Sequence, residues 1–173
     1  CHAFPGLFYP SGHQDSQNPC QSNESSPALH LQYPFLYFGR TYHNIYVDNN
    51  GLLTFEPFYE RLPKAFPANS TRDIIAPLWG KFDCSVSGNI SYRVVTRGRI
   101  LDRARNDIKQ YFPQFGFSVH TVFIATWNRV PYLNSPTTVC RLKGYVNLPK
   151  KFIVNLRQKL KVSFKFLTTS HLF

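Results

Sequence analysis

Between Tyr46 and Phe55 the chain reads YVDNNGLLTF, and its centre, Asp48-Asn49-Asn50-Gly51, holds one carboxylate and two carboxamides in consecutive positions. Such oxygen-rich clusters are where a hard cation such as calcium finds ligands. A calcium loop of the EF type must carry on with oxygen donors at alternating positions and close on a bidentate Glu. Here Leu52 and Leu53 follow at once, and Glu56 comes too early to close the ring. The neighbours argue for another role. Ile45-Tyr46-Val47 and Leu52-Leu53-Thr54-Phe55 are β-branched, apolar and aromatic, so Asn50 and Gly51 fall between two strand-forming arms. A two-residue type I′ turn needs positive φ at both central residues, which Asn and Gly adopt at least cost. We expect Asn50 and Gly51 to be the corner of a β-hairpin, without a metal.

The other reactive side chains form no familiar constellation. His2, His13, His30, His43, His120 and His171 show neither H-x-H nor H-E-x-x-H spacing. Asp102 and Asp107 are five apart, which on a helix separates their faces and argues against a paired acid and base. No G-x-S-x-G and no phosphate-cradling glycine loop occurs. We therefore expect no catalytic, cofactor-binding or metal-binding residue, and no enzyme. Cys1, Cys20, Cys84 and Cys140 are dispersed, with no C-x-x-C pair to suggest zinc. Cys20–Cys84 is a candidate disulfide that would leave Cys1 and Cys140 over, but three pairings exist and spacing does not choose among them. Glycosylation sequons stand at Asn23, Asn69 and Asn89, each in a polar, turn-like context. Sequons with dispersed cysteines point to a secreted chain. Its first residues, CHAFPGLFYP, have neither the charged nor the apolar region of a secretory leader.

These side chains need a scaffold, and the apolar periodicity supplies one. Phe, Tyr and Trp make up 16% of 173 residues, with 13 Pro and no Met, which favours pleated sheet over a helical bundle. Ala28 to Gly39 alternates through Leu29, Leu31 and Tyr33, and Pro34 confines it to a strand end or an edge. Glu60 to Arg72, with two prolines and a sequon, reads as a loop. Asp73 to Asp83 carries an apolar run broken by Pro77, while Gly88 to Gly98 alternates Ile90, Tyr92 and Val94 on one face. The period then changes. Ile100, Leu101, Ala104, Ile108, Tyr111 and Phe112 recur at three- and four-residue steps before Pro113, which predicts one amphipathic helix at about 99–112. A long strand follows over 118–132, with Phe123, Ala125 and Trp127 sharing a face, and we expect Trp79 and Trp127 to anchor the core. The fold class expected is mainly β (α+β): an antiparallel, sandwich-like sheet scaffold with a single helix. No apolar run approaches the length of a membrane span.

Aromatic and basic residues interleave in FLYFGRTYHNIY, which could stack on sugar rings, although a core-facing sheet explains the same pattern. The net charge of +11 is uneven. Residues 1–139 hold twelve Lys/Arg and all nine Asp/Glu, whereas residues 140–173 hold eight Lys/Arg and no carboxylate. The excess belongs to the tail, so a nucleic-acid partner is not expected from the body of the chain.

Several blocks together resemble the NIDO domain, the extracellular module of nidogen, alpha-tectorin and some membrane-bound mucins. They are LFYPSG at 7–12, PFLYFGRTYHNIYVDNNGLLTF at 34–55, FP at 66–67, DIIAPLWGKFD at 73–83, GNISYR at 88–93, DIKQYFP at 107–113 and VFIATWNRVPY at 122–132. The resemblance runs in order over about residues 7–135. It implies an extracellular, non-enzymatic module contributing to cell–matrix adhesion, with matrix or cell-surface glycoproteins as partners. The alternative is a secreted carbohydrate-binding protein using the aromatics of residues 35–46. Where the family commonly has an acidic residue after the Trp of APLWGKFD, this chain has Lys81, and Asp83 is retained. We expect an irregular arm over 1–27, a NIDO-like domain over 28–136 that is truncated and lacks its last strands, and a basic extension over 137–173. The extension is expected to be disordered or the product of mis-splicing. It departs from the family pattern, yet Leu160, Val162, Phe164 and Phe166 alternate as an edge strand would.

Overall fold

The computed structural model describes residues 9–10, 12–20, 25–57, 72–77, 79–114 and 118–133, together with the backbone of 135–149 and 153–154. Asn23, Asn69, Cys1, most of the loop expected over Glu60 to Arg72 and residues 155–173 lie outside the described residues. The elements run β1 (Ser16–Gln17), β2 (Leu29–Tyr37), β3 (Arg40–Asp48), β4 (Leu52–Thr54), β5 (Ile74–Ile75), β6 (Asn89–Val95), α1 (Arg99–Tyr111), β7 (Val119–Tyr132), β8 (Ser135–Pro149) and β9 (Ile153–Val154). They form two antiparallel sheets, ordered β1-β6-β7-β8-β9 and β2-β3-β4-β5. The expected β-rich fold with one helix is the fold observed.

The two sheets face each other across one core. Leu31 and Phe35 of β2, Ile45 and Val47 of β3, Leu53 of β4 and Ile75 of β5 meet Ile90 and Tyr92 of β6 and Phe123, Ala125 and Trp127 of β7. Alternation along each strand places these side chains inward, and each fully buried aliphatic contributes about 1.5–3 kcal/mol. The other face of the five-stranded sheet holds a second cluster. There Leu101, Ala104 and Ile108 of α1 sit on Val119, Val122 and Ile124 of β7. Asp102 lies in the first turn of α1 and Lys109 in its last, matching the helix dipole. The Phe112 N–H still reaches the Ile108 carbonyl (2.8 Å), and Pro113 prevents continuation.

One detail meets expectation, the edge position of the strand that holds Pro34, and two depart from it. β2 runs through Pro34 because its register slips between His30 and Phe35, and as the outer strand of its sheet it has no ladder bond for Pro34 to break on the open side. The run from Asp73 to Asp83 yields only the two-residue β5. Near residue 128 a bulge interrupts β7 between Trp127 and Val130, with Arg129 at φ 54. Gly88 packs so closely there that a Cβ would stand 2.5 Å from the Arg129 carbonyl oxygen. Only glycine fits.

The boundary expected after residue 136 falls inside β8. Its backbone pairs with β7 to Pro149, setting Leu142 opposite Trp127 and Val146 opposite Phe123. Apolar residues of β8 thus occupy register positions of the core face. Lys143, Tyr145 and Asn147 pair with Thr126, Ile124 and Val122 on the outer row.

Candidate interaction surface

The Asp48–Gly51 corner is buried. Asp48 is 4% exposed, and Asn49 and Gly51 are enclosed with it. Its polar groups are spent on distant parts of the chain. The Asp48 carboxylate accepts the Asn50 N–H (2.7 Å) and the Ser25 hydroxyl (2.9 Å), while its carbonyl accepts the Trp127 indole N–H (3.0 Å). Asn49 Oδ1 accepts from Asn18 Nδ2 (2.7 Å), and Asn49 Nδ2 donates to the Pro19 carbonyl (3.3 Å). The Asn50 carbonyl accepts the Gly80 N–H (3.1 Å), and its Oδ1 accepts the Phe82 N–H (3.4 Å). Burial holds the Asp48 carboxyl above its ordinary range, opposed by the hydrogen bonds from Asn50 and Ser25. The corner therefore ties the N-terminal arm, the 80–82 segment and β7 to one point. No group of three or more His, Cys, Asp or Glu that could hold a metal occurs among the described residues.

The turn type needs correction. Asp48 pairs directly with Leu52, so three residues, Asn49, Asn50 and Gly51, form the loop, and of these only Gly51 has positive φ, at 81. That is the pattern of a type I turn followed by a left-handed residue, not type I′. The physical reason is the Asp48 side chain: accepting the N–H two residues on stabilises an Asx-type bend.

The I′-like geometry stands instead at the β2–β3 corner. Tyr37 pairs with Arg40, leaving a two-residue loop in which Phe38 has φ 45 and Gly39 has φ 80. A bulky side chain at positive φ is uncommon, and the conformation costs about 1–2 kcal/mol. Phe38 nonetheless stands 62% exposed, with Tyr33 at 51% and Leu36 at 39% on the same edge strand. Among the described residues its ring meets the edge of Tyr37, at 4.6 Å between centroids. The sequence carried a weak signal for this corner, Gly39 between two alternating runs, but Phe is not a turn-forming residue.

Behind the tip the aromatics are committed to one another. Tyr42 stacks on Phe55 at 4.2 Å, Phe55 stacks on Phe35 at 5.3 Å, and the Tyr42 hydroxyl donates to Asp73 Oδ2 (2.5 Å). Arg40 lies 3.7 Å from the same carboxylate. Burial, then Asp73 and Tyr42, push the Tyr37 hydroxyl up to about 12. A shallow cleft here is lined by Arg40, Tyr42, Glu56, Arg72 and Asp73. With one face on Phe55 and its hydroxyl on Asp73, Tyr42 is poorly placed to stack on a sugar.

The remaining residues singled out from the sequence divide. Cys20 and Cys84 form a disulfide with Cα atoms 5.2 Å apart, joining the arm to the 82–88 loop. Trp127 is 2% exposed in the core, whereas Trp79 is only half-buried. Asn89 opens β6, half-buried. Asp102 and Asp107 face different partners, Arg105 (2.9 Å) and Arg103 (3.8 Å), the latter lying over the Tyr9 ring. Asp83 accepts from the backbone and hydroxyl of Ser85 (3.0 and 2.5 Å), a local bend rather than half of an acidic pair. The N-terminal arm is more than a loose lead-in. Asp15 pairs with Arg93 of β6 (3.2 Å), and Tyr9 donates to Asp107 (3.0 Å).

With this geometry in hand, comparison with known proteins is decisive. A family profile described as a nidogen-like domain, NIDO, matches residues 43–158. The chain belongs to the NIDO family. Human alpha-tectorin is 34% identical over 134 residues, covering 76% of this chain and 6% of that protein. Dendrite extension defective protein 1 of Caenorhabditis elegans is 31% identical over 66% of the chain and 10% of its own length. Mouse nidogen-2 is 31% identical over 73% of the chain and 9% of its length. The NIDO chain thus spans a tenth or less of these relatives. No solved structure matches it. The NIDO match reaches past residue 136 to 158, taking in β8 and β9. No helix among the described residues is long and apolar enough to cross a membrane.

Proposed function

We propose that this NIDO domain is an extracellular, non-enzymatic interaction module that contributes to cell–matrix adhesion. In this reading the β2–β3 corner docks on a matrix or cell-surface glycoprotein. The observation that carries the reading is Phe38: a large apolar side chain, mostly in water, on a backbone conformation that Asn or Gly would hold at lower cost. Strain kept at an exposed aromatic is expected where the side chain serves a contact rather than the fold. Leu36 and Tyr33 extend the apolar edge, and Arg40 gives it a charged rim. The family match and relatives such as nidogen-2 and alpha-tectorin support a place in the extracellular matrix.

The test is binding of the secreted full chain to cell-deposited, decellularised matrix. Phe38→Asn should abolish binding while leaving the melting temperature unchanged or higher. Undiminished binding by Phe38→Asn would refute docking through this corner, and failure of the wild-type chain to bind would refute the adhesion reading. Binding lost on Tyr42→Ala and on deglycosylation of the matrix, but kept by Phe38→Asn, would favour carbohydrate recognition instead.

A further inference from the structure

We infer that Asn89 carries an N-linked glycan, which projects from the polar end of the five-stranded sheet's outer row, beyond the residues that α1 packs against. Along β6, residues 89, 91, 93 and 95 share one face. In register, Asn89 pairs with Asn128, Ser91 with Thr126 and Val95 with Val122. The Val95 and Val122 end of this row packs against α1. The other end is polar: Asn89, Ser91, Thr126 and Asn128, with Gln17 of β1 paired to Ser91.

That polar end is incompletely satisfied. Asn89 Nδ2 donates to Gln17 Oε1 (3.2 Å), and Asn89 Oδ1 accepts from Asn128 Nδ2 (3.0 Å). Asn128 Oδ1 and Thr126 Oγ1 are buried without a hydrogen-bond partner. These two atoms are enclosed, whereas the contact between Asn89 and Gln17 is exposed, so a sugar on Asn89 Nδ2 leaves the sheet on the Gln17 side with the orphan atoms behind it. One of the two Asn89 amide hydrogens is replaced on glycosylation, and the other remains for Gln17.

The order of events follows from burial. Ser91, the hydroxyl residue of the sequon, is 4% exposed and locked between strands, so an enzyme cannot read Asn89-Ile90-Ser91 in the folded chain. Attachment must precede the pairing of β6 with β7. The Asn89 amide nitrogen attacks C1 of the first sugar of a lipid-pyrophosphate-linked oligosaccharide. The C1–N bond forms as the C1–O bond to pyrophosphate breaks, the amide loses a proton, and lipid pyrophosphate leaves.

The inference requires only that the chain enters a secretory route, which a test can supply independently of adhesion. The full chain is expressed behind a secretory leader in a eukaryotic host and recovered from both the medium and the membrane fraction. N-glycosidase treatment in heavy-oxygen water then converts a glycosylated Asn to labelled Asp, located by peptide mass. The peptide containing residue 89 should carry the label. Ser91→Ala, which leaves the Asn89 amide contacts in place, should lose the label and one glycan mass, and Ser91→Thr should keep both. An unlabelled residue 89 in the wild-type chain would overturn the inference while leaving matrix binding to be judged separately.

Discussion

The four-stranded sheet turns sharply at Phe38-Gly39 and again at Asn49-Asn50-Gly51, and the two corners use opposite chemistry. The first places an aromatic ring in water on a backbone that disfavours it. The second turns a carboxylate and two amides inward, each bonded to a segment remote in sequence. Turn residues are usually polar because loops face solvent. Here the polar corner faces the protein and the apolar corner faces outward. The difference separates a corner that organises the fold from one free to meet another molecule.

Substitutions can test that division, beginning with the largest expected effect. Trp127→Ala removes a core side chain and the indole N–H that holds the Asp48 carbonyl, and should cost about 3–5 kcal/mol in denaturant unfolding. Replacing Cys20 and Cys84 together by Ser unties the arm from the 82–88 loop. The cysteines are 64 positions apart, and a loss of about 2–4 kcal/mol is expected, read as a lower melting temperature.

Asp48→Ala strands the Asn50 N–H and the Ser25 hydroxyl and should cost about 1–3 kcal/mol. Asp48→Asn keeps an acceptor for Asn50 and isolates the charge. Because the fold raises the Asp48 carboxyl, the folded chain binds that proton more tightly than the unfolded chain does. Its contribution to stability is therefore lost as pH rises from the ordinary Asp range through the raised value. Unfolding curves at several pH values should show wild type gaining on Asp48→Asn as pH falls through that window. A gap that does not move with pH would mean that the corner does not confine the charge. The smallest effect should have the opposite sign. Phe38→Asn relieves the left-handed backbone and should raise stability by about 1 kcal/mol, whereas a loss would show Phe38 to be part of the fold.

How much of this was legible depends on the range of the interaction. Ile90 and Tyr92, Phe123, Ala125 and Trp127, and Leu101, Ala104 and Ile108 declare their faces by spacing alone, and the structure buries them accordingly. The polar arm gave no such sign. Asn18, Ser25 and Asp15 look like solvated loop residues, and their partners Val47, Asp48 and Arg93 lie far along the chain. The basic composition after residue 140 hid a strand whose backbone register alternates correctly against β7. Trp79 and Trp127 are indistinguishable by residue type, yet only the second is enclosed.

From its residue order alone this chain was bound to be a sheet protein with one amphipathic helix and a reversal near Gly51, since periodicity and turn chemistry are short-range properties. Tertiary packing decided which reversal would be buried, which aromatic would reach water, and which end of the outer sheet face the helix would pack against. A buried polar group must find its partner wherever the fold brings one, and no local pattern specifies where that is.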